Sequence, residues 1–207
     1  MRLRNVKNKE EIMNSSNYLI RDPFSLYGSW NVEFNNNNPI YIEIGMGKGK
    51  FIIDNALLHP ENNYIGIEKY DSVIAKAIQK VPEGLNNLRL IRGDAHQIDE
   101  MFKNEIDHIY LNFSDPWPKN RHHIRRLSSK VFLDKYEKIF KSNKSIEMRT
   151  DNVDLFEYSL VSFSENGYIL HQVSLDFHKD GLPEVTSEYE DKFSSNNLPI
   201  YYIDCSK

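Results

Sequence analysis

The feature that most constrains the fold of this chain is residues 41–53, YIEIGMGKGKFII, where a short apolar run meets a glycine-rich turn. Residues 40–44 predict a buried strand, and the apolar positions of residues 50–58 follow a helical period. Glycines between the two elements let the backbone turn sharply and let a ligand approach the helix N-terminus. The segment therefore predicts the first strand–turn–helix unit of a nucleotide-binding α/β domain.

A carboxylate follows this turn at the spacing typical of ribose recognition. Residues 64–68, YIGIE, predict a second strand that ends in Glu68, about 20 residues after the glycines. A further acid, Glu43, lies inside the first strand, where it would repel a pyrophosphate but would suit a ligand with an ammonium group. The pattern E-x-G-x-G-x-G therefore favours S-adenosylmethionine over a dinucleotide, although a tight turn that binds nothing also explains the glycines alone.

Strands and helices alternate along the rest of the chain. The predicted strands are residues 40–44, 64–68, 88–92, 106–113, 145–149, 168–173 and 198–204, and the predicted helices are residues 50–58, 71–81, 128–141 and 151–166. This alternation predicts a single-domain α/β fold of the Rossmann-like type, with a mostly parallel seven-stranded sheet and helices on both faces. We divide the chain into an N-terminal polar extension, residues 1–39, and a domain, residues 40–207.

Acidic residues mark the carboxyl ends of five successive predicted strands. They are Glu43, Glu68, Asp94, Asp115 and Asp151. In open parallel sheets, ligands bind beyond these ends. Because so many carboxylates on one edge would repel each other, we expect ligands to use them. The edge is the predicted functional site.

The loop after the fourth strand, DPWPK, is followed by the basic stretch NRHHIRRL. Two prolines stiffen the loop around Trp117, whose flat ring would make a wall for a base. Clustered arginines match a phosphate-binding surface even though the net charge is −4. A packed tryptophan and a solvated charged face are the alternative interpretations.

Composition excludes several classes of protein. The single cysteine, Cys205, excludes an intramolecular disulfide and a four-cysteine zinc site. No metal-ligand spacing is present, so we expect no metal. Residues 1–11 are polar, and no apolar run approaches the roughly 20 residues of a membrane span. We therefore expect a cytoplasmic protein that binds no membrane.

The motifs EIGMGKG, GIEK, RGDA, DPWPK with RHHIRRL, RTDN and SEYE together resemble the bacterial tRNA (guanine-N7)-methyltransferase family. The resemblance runs from about residue 40 to the end; the DPWPK loop with its basic continuation is specific, whereas the glycine loop is shared by many methyltransferases. It implies methyl transfer from S-adenosyl-L-methionine to N7 of guanine 46 in the tRNA variable loop. The oligomeric state, monomer or homodimer, stays open.

The resemblance also implies roles for individual residues. The cofactor site would comprise Glu43, Gly45, Gly47, Glu68, Asp94, Ala95 and Asp115, with Asp115 as the catalytic residue. The guanine would meet Lys119, Asp151, Ser187, Glu188, Tyr189 and Glu190, and the tRNA would lie along Arg121, His122, His123, Ile124, Arg125 and Arg126. Relatives usually carry threonine where this chain has Ser187, so either Ser187 or the preceding Thr186 supplies the hydroxyl. Lys119 would contact guanine O6 or a phosphate.

Three other functions are weighed against this one. A nicotinamide-dependent oxidoreductase would need G-x-G-x-x-G and would not place Glu43 beside a pyrophosphate. A non-catalytic RNA-binding module would have little use for an acidic edge. A methyltransferase that acts on another RNA or on a small molecule fits the glycine loop, but it leaves the basic segment unexplained.

Overall fold

The structure, a computed structural model, describes residues 6–181, 183–194 and 198–207. The strands are β1 (Leu19–Ile20), β2 (Ile40–Ile44), β3 (Asn63–Glu68), β4 (Leu88–Arg92), β5 (Ile106–Asn112), β6 (Phe140–Thr150), β7 (Ile169–Ser174) and β8 (Tyr201–Ser206). The helices are α1 (Lys9–Ser15), α2 (Trp30–Phe34), α3 (Lys50–Leu58), α4 (Asp71–Ile78), α5 (Ile98–Met101), α6 (Lys130–Ile139), α7 (Val153–Glu165) and α8 (Glu188–Ser194).

The strands form one sheet in the order β1-β4-β3-β2-β5-β6-β8-β7. All neighbouring pairs are parallel except those of β8, which runs antiparallel to both β6 and β7. Because β2 pairs with β3 on one side and with β5 on the other, the strand order reverses at β2. A crevice opens at such a reversal, beyond the carboxyl ends of the strands. The predicted Rossmann-like α/β fold is confirmed.

The sheet has eight strands where seven were predicted, because the N-terminal segment supplies one. Leu19 and Ile20 pair in parallel with Leu90 and Ile91 of β4. Trp30, from the same segment, is fully buried, and its indole Nε1 donates a hydrogen bond to the Met101 carbonyl at 2.9 Å. The segment predicted as a polar extension therefore contributes to both sheet and core, and the domain boundary at residue 39 stays a prediction.

Strand β6 begins earlier than predicted, at the expense of the helix before it. The helix predicted over residues 128–141 ends at Ile139, and Phe140 is already extended and pairs with Ile106. Phe140 is buried, and an apolar residue at this position fits the apolar pattern of a helix face and that of a buried strand equally well. Periodicity alone could not place this boundary.

Apolar side chains fill both faces of the sheet. One cluster centres on Ile42, Ile65 and Ile109, and a second one on Ile52, Ile74 and Leu90. This packing fixes the strand ends that carry the acidic residues. Within the described ranges, no helix has the length and apolar character needed to cross a membrane.

Candidate active site

A cleft of about 620 Å³ opens at the carboxyl ends of β2, β3, β4 and β5. Six of the seven predicted cofactor residues line it: Gly45, Gly47, Glu68, Asp94, Ala95 and Asp115. Trp117 and Arg125, from the loop after β5, line the same cleft. The fold thus brings three of the five acidic residues at strand ends, Glu68, Asp94 and Asp115, together with the proline-flanked loop in one site.

The glycine turn leaves bare backbone at the cleft. Gly45 and Gly47 have φ values of 83° and 58°, and a Cβ added to either would meet nothing within 4 Å. Gly49 has another role, because its Cβ would lie 3.0 Å from Ala77 Cβ. The first two glycines therefore leave room for a ligand, and the third one permits α3 to pack closely against α4.

The two acids on β3 and after β4 are held in fixed orientations. Glu68 accepts hydrogen bonds from the backbone N–H groups of Gly47, at 3.2 Å, and Tyr70, at 3.0 Å. Burial raises the pKa of Glu68 despite these bonds. Asp94 is also partly buried, but hydrogen bonds from Lys69 Nζ (2.8 Å) and the His96 N–H outweigh that burial and lower its pKa. Asp94 is therefore held as a carboxylate.

Glu43 is not among the residues that line the cleft and is almost fully buried, at 2% exposure. Its Oε1 accepts a hydrogen bond from Asn112 Nδ2 at 3.0 Å, whereas its Oε2 and the Asn112 Oδ1 have no partner among the described residues. Burial raises the pKa of Glu43 to about 7. Two buried acceptor oxygens without donors, beside an open glycine cradle, fit a ligand that carries an ammonium group.

The DPWPK loop is held in a strained conformation. Trp117 has a φ of 42° between two prolines, in a region that bulky side chains rarely adopt. Arg126 holds this loop from below: its Nε donates to the Pro116 carbonyl at 2.8 Å, and its guanidinium lies 4.5 Å from the Tyr158 ring centre. Arg126 is only 2% exposed. The loop and Tyr158 enclose it in this structure, and its contact with RNA stays a prediction.

The remaining predicted RNA contacts lie on a short 3-10 helix, Asn120–Arg125. Lys119, Arg121, Ile124 and Arg125 are exposed, and His122 and His123 are half-buried. His122 packs edge-on against Trp117, with ring centres 5.9 Å apart, and His123 packs against Tyr158 at 5.3 Å. Arg125 connects this basic surface to the cleft.

The SEYE segment begins α8 with a reciprocal cap. The Glu190 N–H donates to Ser187 Oγ at 3.0 Å, and the Ser187 N–H donates to Glu190 Oε2 at 3.2 Å. The spacing S-x-x-E is the sequence signature of this capping box, so the start of α8 could have been predicted from the sequence. Thr186 does something different: its hydroxyl accepts a hydrogen bond from Lys50 Nζ at 2.8 Å and donates to Asp191.

Glu190 is fully buried within an ionic cluster that sequence reasoning missed. It pairs with Arg149 at 3.0 Å and with His178 at 2.8 Å. The Arg149 guanidinium also pairs with Glu147 and lies between the rings of Phe51 and Phe177. Glu190 therefore fixes α8 to the sheet in this structure.

The other predicted substrate residues are not among those that line the cleft, but one of them contacts a residue that does. Tyr189 packs against Phe113, a cleft residue, with ring centres 5.1 Å apart. Glu188 pairs with Lys80 next to α4, and Asp151 follows the end of β6. Helix α8 thus contacts one cleft residue through Tyr189 and a lysine just after α4 through Glu188. No group of acids, histidines and cysteines suited to a metal ion occurs in the described part of the chain.

Comparison with known proteins places this chain among methyltransferases. A family model described as a putative methyltransferase matches residues 37–203. A tRNA (guanine-N(7)-)-methyltransferase of Bacillus velezensis is 52% identical, over 88% of this chain and 85% of the relative. The proteins of that name from Lysinibacillus sphaericus and Streptococcus suis are 49% and 47% identical, over 99% of this chain and 97% and 98% of theirs.

Solved structures share the fold at much lower identity. An antibiotic-related methyltransferase superposes with a TM-score of 0.66 at 17% identity, covering 87% of this chain and 92% of its own. A 16S rRNA (adenine(1408)-N(1))-methyltransferase from Catenulisporales acidiphilia, solved with its cosubstrate S-adenosylmethionine, gives 0.60 at 13% identity, covering 90% and 92%. These likenesses show the architecture.

Proposed function

Because the chain belongs to the tRNA (guanine-N7)-methyltransferase family, we propose that it methylates N7 of guanine 46 in the variable loop of tRNA. The observation that carries the proposal is the shared cleft, which joins the glycine cradle to Asp115 and leads through Arg125 to an exposed basic helix. N7 lies on the major-groove edge of guanine, and the major groove of an RNA helix is deep and narrow. A guanine in a loop is therefore the accessible target. A tRNA substrate implies action in the cytoplasm.

The cofactor is S-adenosyl-L-methionine, and the cleft residues fit it. Glu68, Asp94 and Ala95 line the cleft, and the Glu68 carboxylate is suited to accept hydrogen bonds from ribose hydroxyls. The buried oxygens of Glu43 and Asn112 suit the ammonium end. We assign Glu43, Gly45, Gly47, Glu68, Asp94 and Ala95 to cofactor binding, as the sequence suggests.

The reaction needs positioning more than proton transfer. When bound, the cofactor supplies a methyl group on a sulfonium, and the guanine N7 lone pair takes this methyl without loss of a proton. Asp115, exposed at the cleft after β5, can accept hydrogen bonds from the guanine N1–H and N2–H groups and hold N7 in line. Its charge also favours the positive charge that develops on the base.

The substrate contacts follow from what each side chain already binds. We assign Lys119, Asp151, Glu188 and Tyr189 to the guanine and its nucleotide, with Lys119 on O6 or a phosphate. Of these, Tyr189 packs against Phe113, which lines the cleft. Ser187 and Glu190 cap α8, so we propose that they hold this helix in position for the substrate. Arg121, His122, His123, Ile124 and Arg125 are assigned to the RNA surface. Arg126 supports the loop.

The experiment that tests this proposal combines purified protein, labelled S-adenosylmethionine and an unmodified tRNA transcript. Borohydride reduction and aniline cleavage then map N7-methylguanine along the RNA. We expect one cleavage site, at guanine 46, and no label in a matched transcript that carries adenine there. Label at a different guanine would refute the position, and cofactor binding without transfer to tRNA would refute the substrate.

A further inference from the structure

Trp117 is the aromatic side chain of the DPWPK loop, and its ring lines the cleft together with Asp115. We propose that the target guanine stacks on Trp117, and that this ring binds the methylated, cationic base more strongly than the neutral one. The proposal rests on the proposed function and adds a substrate-stacking residue to it. Three observations carry it.

The first observation is that the loop presents the ring in a conformation that it would not adopt unaided. A φ of 42° at a tryptophan followed by proline is uncommon, and such a residue persists only where its surroundings fix it. Arg126 provides that support, because its buried guanidinium holds the Pro116 carbonyl. Backbone outliers of this kind cluster at ligand sites.

The second observation is that a flat, delocalised cation already lies on this ring. The guanidinium carbon of Arg125 is 5.0 Å from the centre of the Trp117 ring, within the range of a cation–π interaction. Arg125 is otherwise exposed and lines the cleft. We infer that the entering base takes the place of this guanidinium, which then becomes available to an RNA phosphate.

The third observation concerns the charge of the reacting base. As the N7 lone pair forms the new N–C bond, the S–C bond of the sulfonium breaks to leave a neutral thioether, and the positive charge moves to the guanine ring. No proton is lost. A ring face that attracts cations therefore interacts more strongly with the transition state than with the substrate, which raises the rate of the chemical step and not only the affinity.

The test varies the electron density of this ring while keeping its shape. Single-turnover methyl transfer to the unmodified tRNA transcript is measured with protein that contains tryptophan, 5-fluorotryptophan or a more highly fluorinated analogue. The chain has two tryptophans, and Trp30 is buried outside the cleft lining. The same series in a Trp117→Phe protein, which keeps Trp30, is the matched control.

We expect the rate constant to fall with each added fluorine in the wild-type sequence and to stay constant in Trp117→Phe. Trp117→Phe itself should lower the rate constant about tenfold and leave the Kd for tRNA within about twofold. Binding of the transcript should also quench the part of the fluorescence that wild type has and Trp117→Phe lacks. A transcript with an abasic site at position 46 has no base to stack there and should quench it less.

Two results would overturn the inference alone: a rate constant unaffected by fluorination in active protein, or equal quenching by both transcripts. Wild-type protein that transfers no methyl to tRNA overturns the proposed function as well. The fluorinated proteins keep the tryptophan shape, so their comparison stands even if Trp117→Phe is poorly folded.

Discussion

Replacing Arg149 with methionine tests the buried cluster that holds α8. The side chain is 7% exposed and donates hydrogen bonds to Glu190 at 3.0 Å, to Glu147 at 2.8 Å and to the Val185 carbonyl at 2.8 Å. Burial opposes the charge of Arg149, but the two glutamates outweigh that burial and raise its pKa. Arg149 is therefore charged in the folded protein at any ordinary pH.

The magnitude follows from what the substitution leaves behind. Glu190 has no exposed surface and would lose its guanidinium partner, while the hydrogen bond with His178 remains. Breaking a buried ion pair from one side costs about 3–5 kcal/mol, because it leaves an uncompensated charge. At about 2–4 °C per kcal/mol for a domain of this size, the melting temperature should fall by roughly 6–20 °C. Methionine keeps much of the stem volume, so little of this loss comes from a cavity.

Urea unfolding followed by circular dichroism at pH 7 measures the loss, and Glu190→Gln supplies the control. Glu190→Gln should lower the free energy of unfolding less in the Arg149→Met protein than in the wild type. The difference, which is the coupling energy of the pair, should be at least about 1 kcal/mol. Methyl transfer should fall with Arg149→Met, since α8 borders the cleft. A loss below about 1 kcal/mol, or strictly additive single substitutions, would refute the reasoning.

Three further predictions concern the cleft and its loop. Asp115→Ala should keep the fold and nearly abolish methyl transfer; near-wild-type turnover in folded protein would remove Asp115 from its catalytic role. Arg125→Ala should reduce the slope of log K against log salt for tRNA binding by about 1. Arg126→Ala should instead lower the free energy of unfolding by about 1–3 kcal/mol, because the Pro116 carbonyl loses its donor. If the two variants have equal salt slopes and equal stabilities, these separate roles for the two arginines are wrong. Glu43, whose pKa burial raises from 4.5 to about 7, binds its proton more tightly in the folded state. The stability of the cofactor-free protein should therefore fall as pH rises from 4.5 to 7, and Glu43→Gln should remove about 3 kcal/mol of that fall in urea midpoints measured across this range.

The central elements of the fold were predictable because their boundaries are marked in the sequence. Strand Ile40–Ile44, helix Lys50–Leu58 and strand Leu88–Arg92 match their predictions to the residue. Glycine or proline stands close to each of them. Strand Leu19–Ile20 was not predicted, because two residues are too few to show a period. Trp30 was not predicted to be a core residue either, because the residues around it are mostly polar.

The site was predictable as a location but not in its detail. Strand order and the acidic strand ends identify the cleft, since parallel strands place their carboxyl ends on one edge. Glu43 lies in a strand buried on both faces, so alternation could not show that its side chain is buried outside the cleft lining. Arg125 and Arg126 are neighbours of equal charge, and only the tertiary structure shows that one is exposed and the other enclosed.

The sheet order has a consequence for synthesis of the chain. Among the described strands, β7 has β8 as its sole neighbour, so it cannot join the sheet until Tyr201–Ser206 have been made. At ordinary translation rates this delay is about 2–6 s. During it, a strand that carries the largely exposed Ile169 and Val173 has two unpaired edges, a configuration that invites aggregation. We therefore expect the soluble yield on expression to depend on how quickly residues 175–206 are translated.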